Sequence, residues 1–589
     1  MLRALYDYGI RRQLALPPGF VRKPIKAYIS LSESDDRISI YLGDGEAVPC
    51  PDIGSLANGK DKSNVLAEKR SVVIPEQPGA KSTFFLEALR AASEAEPLLA
   101  VCVRALETPE IAAAIRAELD RAKIKPGDRI SFRVNGQSVL RSEKIRLWWQ
   151  EYRKRFSAGE AQPSALCLIT GKPTVPMATT TAIQGLQVVG GHAKGDALIC
   201  FDKAAFCSYN LKQAANAPVS EEAFSAVKAA LDDLLRDAPI LAGMKFVHWF
   251  DREIPQEEDP LYSIDFGYDV PETETESESP VNELTERERA DSVPESVRSG
   301  QAVPDLDDTS YYILLLTGVN SRIMIRRYDR GSYADLRRNL NQWYADLALT
   351  NQSGTGNIRP VKLTARLLRL LKYQKTDSRP FDRLSKELAG VIIQAVLSGG
   401  PLPDAVAAKA LAYIRSELLS SDEDTQSSLP NSLACQWLKV WLLRKNRIYH
   451  QEEPILEEYN LKLSNAAYHC GGLMAVYAAI QRAAMPDVNT GIVERYYASA
   501  IQMPALVIGQ LSSRSNHHLE KIENGWLAER YREKLQQISV AVGTSIPATL
   551  NLEQQSYFAL GYYQMGAMLN REKNEQIAAA KEKSEAAGK

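Results

Sequence analysis

The stretch PETETESESPVNELTERERADSVPESVRSG, residues 271–300, constrains the fold of this chain more than any other segment. Rich in Glu, Ser, Thr and Pro and poor in apolar residues, it cannot bury enough surface to offset the entropy of ordering it. Between Asp251 and Thr309 the chain carries 19 acidic and 4 basic residues, and 251–309 reads as a solvated acidic linker. It parts an N-terminal region, residues 1–250, from a C-terminal region beginning near Ser310. The formal charge of −2 hides this asymmetry, because the other 530 residues hold 67 basic against 54 acidic side chains. A basic body attracts polyanions, and an ordinary surface with an excess of Lys and Arg gives the same count.

At 589 residues the chain has room for two to four domains at ~150 residues each. Its longest apolar runs, such as YYILLLTGV, fall far short of the ~20 residues of a membrane helix. The opening MLRALYDYGIRRQLALPPGF lacks a secretory apolar core and cleavage site. Seven cysteines, at 50, 102, 167, 200, 207, 435 and 470, form no CxxC pair, so the expectation is a cytoplasmic chain with reduced, mostly buried thiols.

The N-terminal region mixes short strands with helices. KAYISLSESDDRISIYLGDG reads as a hairpin, residues 81–124 as two or three helices, DRISFRVNG as a strand and SEKIRLWWQEYRKRF as a helix. After the linker, residues 310–450 open with two strands around a Gly-Val-Asn turn and turn helical, and residues 451–589 read as a helical bundle. The fold class is therefore α+β, with a mixed N-terminal region followed by a mainly α-helical C-terminal bundle.

No enzyme signature stands out. There is no GxxxxGK[ST], and the glycines of GLQVVGGHAKGDALICFD do not match a dinucleotide fingerprint. His192, His248, His450, His469, His517 and His518 are scattered, adjacent His517 and His518 diverge on any helix, and the Asp232–Asp233 pair lies on an amphipathic helix. The expectation is a non-enzyme with no cofactor and no metal.

Contacts to nucleic acid have more to draw on. Glycines let a backbone approach phosphate closely, and in GLQVVGGHAKGD the donors Gln187, His192 and Lys194 accompany them, ahead of an apolar run that reads as a strand. A plain connecting turn is the alternative. The polar loop 57–70 supplies Lys60, Lys62, Asn64, Lys69 and Arg70, and a plain solvated loop reads the same way. Arg326 lies on a basic strand where neighbouring Arg327 points to the other face. Lys362, Arg366 and Arg369 form a basic stripe beside Leu363, Leu367 and Leu370, and Arg444, Lys445 and Arg447 close a later helix; both could track a single strand, and both could be ordinary charged helix faces.

Taken in order, LPPGF, CLITGKPTVPMA, the Gly-rich segment running into AFCSYNLKQAANAPVSEEA, YYILLLTGVNSRIMIRRYDRG, AAYHCGGLMAVYAAIQRAA, ERYYASAIQMPA and LEQQSYFALGYYQMGAML make the chain similar to one family. It resembles the large subunits of the type I-C (Dvulg subtype) CRISPR-Cas surveillance complex, Cascade. The resemblance implies a non-catalytic subunit that recognises the protospacer-adjacent motif in double-stranded DNA and promotes R-loop formation. CRISPR RNA then reads the rest of the sequence. It further implies a C-terminal bundle resembling the Cascade small subunit, which lines the path of the displaced non-target strand and in such families is also made separately from an internal start. Backbone and crRNA-processing subunits, small subunit copies and a recruited helicase-nuclease are the implied partners. The competing reading is a protein-interaction scaffold with basic patches; a metal nuclease is a more distant third.

Overall fold

The computed structural model describes residues 1–34, 37–54, 61–156, 164–261 apart from 178, 202, 208, 210, 212, 256 and 257, 304–371 apart from 360, 380–419, 428–449, 455–486 and 491–587. Lys60, His450 and most of the acidic tract lie outside these residues. The chain forms two compact units, Met1–Asp237 with Gly318–Met324, and Ala238–Thr317 with Ile325–Lys589.

The first unit is built on short strands. β1 (Phe20–Pro24) pairs with β4 (Ala47–Pro51). β2 (Ala27–Leu31) and β3 (Ser39–Leu42) pair antiparallel, Ala27 opposite Leu42, as the hairpin pattern predicts. β2 also lies parallel to β6 (Arg129–Val134), Ile29 opposite Phe132, and β5 (Glu68–Lys69) and β7 (Gln137–Ser138) pair with β6. A parallel neighbour requires a long crossover. Here that crossover holds α2 (Arg70–Val73), α3 (Ala80–Ala95), α4 (Leu99–Glu107) and α5 (Pro109–Arg121). Ala27, Ile29 and Leu31 of β2 and Ile130, Phe132 and Val134 of β6 join Phe85, Leu89, Ile115, Leu119 and Trp149 in one core. Trp149 comes from α6 (Glu143–Tyr152), and its indole N–H donates to the Gly19 carbonyl at 2.7 Å. A further hairpin, β8 (Ala165–Leu166) with β9 (Pro173–Thr174), precedes α7 (Glu221–Arg236), which packs on α1 (Leu2–Arg11).

In the second unit β10 (Ile240–Leu241), β11 (Met244–Phe250), β12 (Ser310–Val319) and β13 (Arg322–Ser332) form a sheet in that order. The strands on either side of the acidic tract pair antiparallel, Lys245 opposite Leu316 and Phe250 opposite Tyr311. The β12–β13 turn is not Gly-Val-Asn. Gly318 and Val319 are strand, and Asn320 and Ser321, with φ of 51° and 60°, make the turn, the doubly positive φ that suits a twisted hairpin.

Helices fill out the rest: α8 (Tyr333–Leu347), α9 (Leu363–Leu368), α10 (Lys386–Ser398), α11 (Asp404–Leu418), α12 (Ser432–Ile448), α13 (Ala466–Ala484), α14 (Ile492–Ala500), α15 (Pro504–Glu520), α16 (Gly525–Val542) and α17 (Leu552–Ala587). Polar caps start many of them, with Ser332, Ser385, Asn431, Asn465 and Asn524 each accepting from a first-turn N–H. α13 is buried on every side from Ala467 to Ile480, as expected for the central rod of a bundle. It meets α17 through glycines, so closely that a methyl on Gly471 would lie 2.0 Å from the Phe558 carbonyl oxygen and one on Gly561 2.0 Å from that of Tyr468. Among the described residues no helix is long and apolar enough to cross a membrane.

Candidate nucleic-acid interface

The Gly-rich segment folds as a stapled loop. Ile183 and Asp196 form an antiparallel bridge at its base, with N–H to carbonyl bonds of 2.9 and 2.8 Å in the two directions. The Asp196 side chain is fully buried and accepts from the His192 N–H at 3.1 and 3.2 Å. Gln187–Val189 is one 3-10 turn ending at Gly190, whose φ of 90° only glycine adopts cheaply. The apolar run that follows does not form the expected strand. It contributes isolated bridges at Asp196, to Ile183, and at Ala197, to Arg322 beside the tip of the β12–β13 hairpin. Ala197 takes Ser321 as acceptor and Ile323 as donor.

The glycines are explained by that partner. A methyl on Gly190 would lie 2.6 Å from the Gly318 carbonyl oxygen, and one on Gly318 2.1 Å from the Gly191 Cα. Main chain therefore packs on main chain, and the two-glycine bend is used on a protein neighbour. Outside the bend stand Gln184, Gln187, His192 and Lys194, with exposed Val188 among them, and Asn320 and Ser321 beside Val319 at the hairpin tip. Arg322 stands over the Phe206 ring at 5.5 Å. Gln187, His192 and Lys194 are thus brought onto one surface loop beside Asn320 and Ser321. These two were not singled out from the sequence, where the available signal was a glycine inside a strand pattern, which marks close backbone approach.

Residues 61–70 of the loop at 57–70 are less open than their composition suggests. Asn64 is held inward, its side-chain oxygen accepting from the Ile53 N–H at 3.0 Å and its amide donating to Glu68 at 2.9 Å. Arg70 pairs with Asp120 at 2.7 Å and donates to the Ile124 carbonyl at 2.5 Å. Lys62 lies 4.8 Å from the centre of the Phe156 ring, and Lys69 is exposed on the edge strand β5. Lys60 lies outside the described residues.

The basic positions of the second unit are largely internal. Arg366 is 3% exposed and donates to the Gln436 side chain, whose amide donates to the Leu347 carbonyl at 2.6 Å. Burial lowers its pKa to about 10. Arg444 is also 3% exposed, donating to the Ala395 and Gly400 carbonyls at 2.5 and 2.7 Å, and burial again brings it to about 10. Arg447 forks onto buried Asp346, and Lys445 pairs with Glu553 at 2.8 Å. Lys362 and Arg369 are half-buried, Arg369 over the Tyr413 ring. Arg326 donates to Thr317 and Glu387, while Arg327 reaches Gln394. The two expected basic stripes are therefore not surface stripes: their spacing puts Arg366 on the apolar face with Leu363, Leu367 and Leu370, and the α12 end is consumed by Asp346 and Glu553.

Cys167 closes the β8–β9 turn. Burial pushes its thiol up, but hydrogen bonds from Thr170 and from the Ser220, Thr170 and Ile169 N–H groups outweigh this and bring it to about 7. Among the described residues no three His, Cys, Asp or Glu side chains gather as a metal site.

A family model described as CRISPR-associated protein (Cas_Csd1) matches residues 3–568. No curated protein matches the chain.

Proposed function

The chain belongs to the CRISPR-associated Csd1 family, the large subunits of type I-C Cascade, and from that premise we propose that its first unit recognises the protospacer-adjacent motif in duplex DNA. The carrying observation is the stapled loop: Gln187, His192 and Lys194 stand exposed on a backbone that Asp196 and the Gly190–Gly191–Gly318 contact hold rigid. A rigid loop places side-chain donors at base edges without an ordering cost at binding. Lys194 supplies phosphate attraction, and Gln187 can pair two-fold with an adenine edge. In this reading the subunit breaks no bond itself. It grips and parts the duplex, CRISPR RNA takes over the sequence reading, the helical unit holds the displaced strand, and a recruited helicase-nuclease cuts.

The internal bonding of Arg366, Arg444, Lys445 and Arg447 favours a structural role for those four positions and moves strand-holding to other surfaces of the second unit. The test is duplex binding by assembled complexes. Lys194→Glu should weaken binding to all sequences and flatten the salt dependence by about one phosphate contact. Gln187→Ala should cost about 1–3 kcal/mol of motif discrimination. Wild-type affinity and preference in both variants would reject the loop as the reader.

A further inference from the structure

Helices of a bundle turn apolar i, i+3, i+4 faces inward. Where α13, α14 and α15 meet, a cavity of about 320 Å³ opens between that apolar face and the exposed polar one. α14 lines it with Arg495 and Tyr496, and α15 with Arg514 and, one turn on, His518, while α13 adds Tyr477. Among the described residues no Asp or Glu lines it. Arg514 donates to the Tyr496 hydroxyl at 2.8 Å, which sets its orientation. Among the described residues neither guanidinium is paired with a carboxylate, and the buried Nδ1 of His518 has no hydrogen-bond partner. Ile480 and Leu511 share the lining.

Unpaired cations, tyrosine rings and aliphatic surface in one hollow suit a ligand that joins an anion to a flat apolar ring. A bare anion would leave the apolar lining unused, and a hydrocarbon would leave two guanidinium groups unpaired. The volume, at the lower end of the ~300–1,000 Å³ typical of ligand pockets, admits one such group and excludes a duplex. We propose that this cavity takes a single nucleotide of an unpaired DNA strand, with the phosphate on Arg495 and Arg514 and the base against the tyrosines and the aliphatic lining. This rests on the strand-holding reading above and gives it a place, on residues other than the basic stripes.

The experiment uses the full chain and a short fluorescein-labelled oligothymidine at fixed salt, with free dTMP as competitor. Arg495 and Arg514 are both exposed, so Arg495→Ala and Arg514→Ala should keep the wild-type unfolding midpoint. Each should weaken oligomer binding about tenfold, the low end for a hydrogen bond to a charged group, and leave motif preference on duplex DNA unchanged. Unchanged oligomer affinity in both variants overturns the proposal. So does dTMP that competes as well as the oligomer, which would make a soluble nucleotide the occupant. Loss of complex assembly with oligomer affinity intact also overturns it, by making the site a protein contact. If Gln187→Ala and Lys194→Glu leave motif preference untouched while the arginine variants still lose the oligomer, the motif reading fails and the pocket stands.

Discussion

Replacing Gly471 by Ala should destabilise the helical unit even though alanine is the better helix former. The new methyl would meet the Phe558 carbonyl oxygen at 2.0 Å and the Tyr562 nitrogen at 2.8 Å. A carbon and an oxygen settle no closer than about 3.3 Å even in favourable contacts, so α13 and α17 must separate by about an ångström or distort. Both obstacles are main chain in mid-helix and cannot rotate aside. A gap of that size forfeits a quarter to a half of each dispersion contact along the seam, so the cost sits near the upper end of the 1–3 kcal/mol usual for overpacking. Helix propensity returns about 1 kcal/mol, leaving a net loss of about 2 kcal/mol. Gly509 on α15 is the control, because a methyl there meets nothing within 4 Å. Gly509→Ala should stabilise by up to about 1 kcal/mol. Urea unfolding of the full chain, followed by far-UV circular dichroism and tryptophan fluorescence, reads both variants on the same transition. The reasoning is refuted if Gly471→Ala is as stable as wild type, or if the two substitutions shift the midpoint the same way.

Two further outcomes follow from buried polar groups. His469 is fully buried, its Nε2–H donating to the Leu463 carbonyl at 2.7 Å and its Nδ1 accepting from the Tyr459 hydroxyl at 2.8 Å, and burial lowers its pKa below the ordinary 6.5. As pH falls below about 6.5 the unfolded chain protonates this group first, so its contribution is intact above that pH and is lost at up to about 1.4 kcal/mol per pH unit below it; the stability difference between wild type and His469→Gln should shrink between pH 7.5 and 5, and a constant difference would contradict this. Asp346, 1% exposed, takes the Arg447 fork and an amide from Gln342 at 2.9 Å, with Arg444 3.9 Å away; Asp346→Ala strands a buried arginine and should cost about 3–5 kcal/mol, with a loss under 1 kcal/mol in calorimetry counting against the network.

What could be read from the sequence, and what could not, divides along the range of the interactions involved. The β2–β3 hairpin, the strand β6 and the helices α13, α14, α16 and α17 follow from local periodicity and are present. The segments AAYHCGGLMAVYAAIQRAA and LEQQSYFALGYYQMGAML stood out separately, yet nothing local says that they cross at Gly471 and Gly561. The basic stripe failed for a reason visible in its own spacing. Arg366 lies three residues after Leu363 and four before Leu370, on the apolar face, and a guanidinium there must be buried against a partner such as Gln436. Counting charges along a helix therefore overstates what reaches solvent.

The Gly-rich bend turns the same lesson round. Its glycines suggested room for a phosphate, and the room is occupied by Gly318, a residue far along the chain whose approach no local pattern encodes. In the proposed reading that contact serves the order of the loop and not the ligand. A bend left open for phosphate would have to be ordered by its ligand, whereas this one is ordered by Asp196 and the hairpin before any ligand arrives, with Gln187, His192 and Lys194 already outside. A Gly191→Ala substitution, whose methyl would fall 2.4 Å from the Asp196 carboxylate and 2.7 Å from Leu186, disturbs the staple without touching an exposed side chain. If recognition depends on the loop being held, it should impair motif preference as much as Gln187→Ala does.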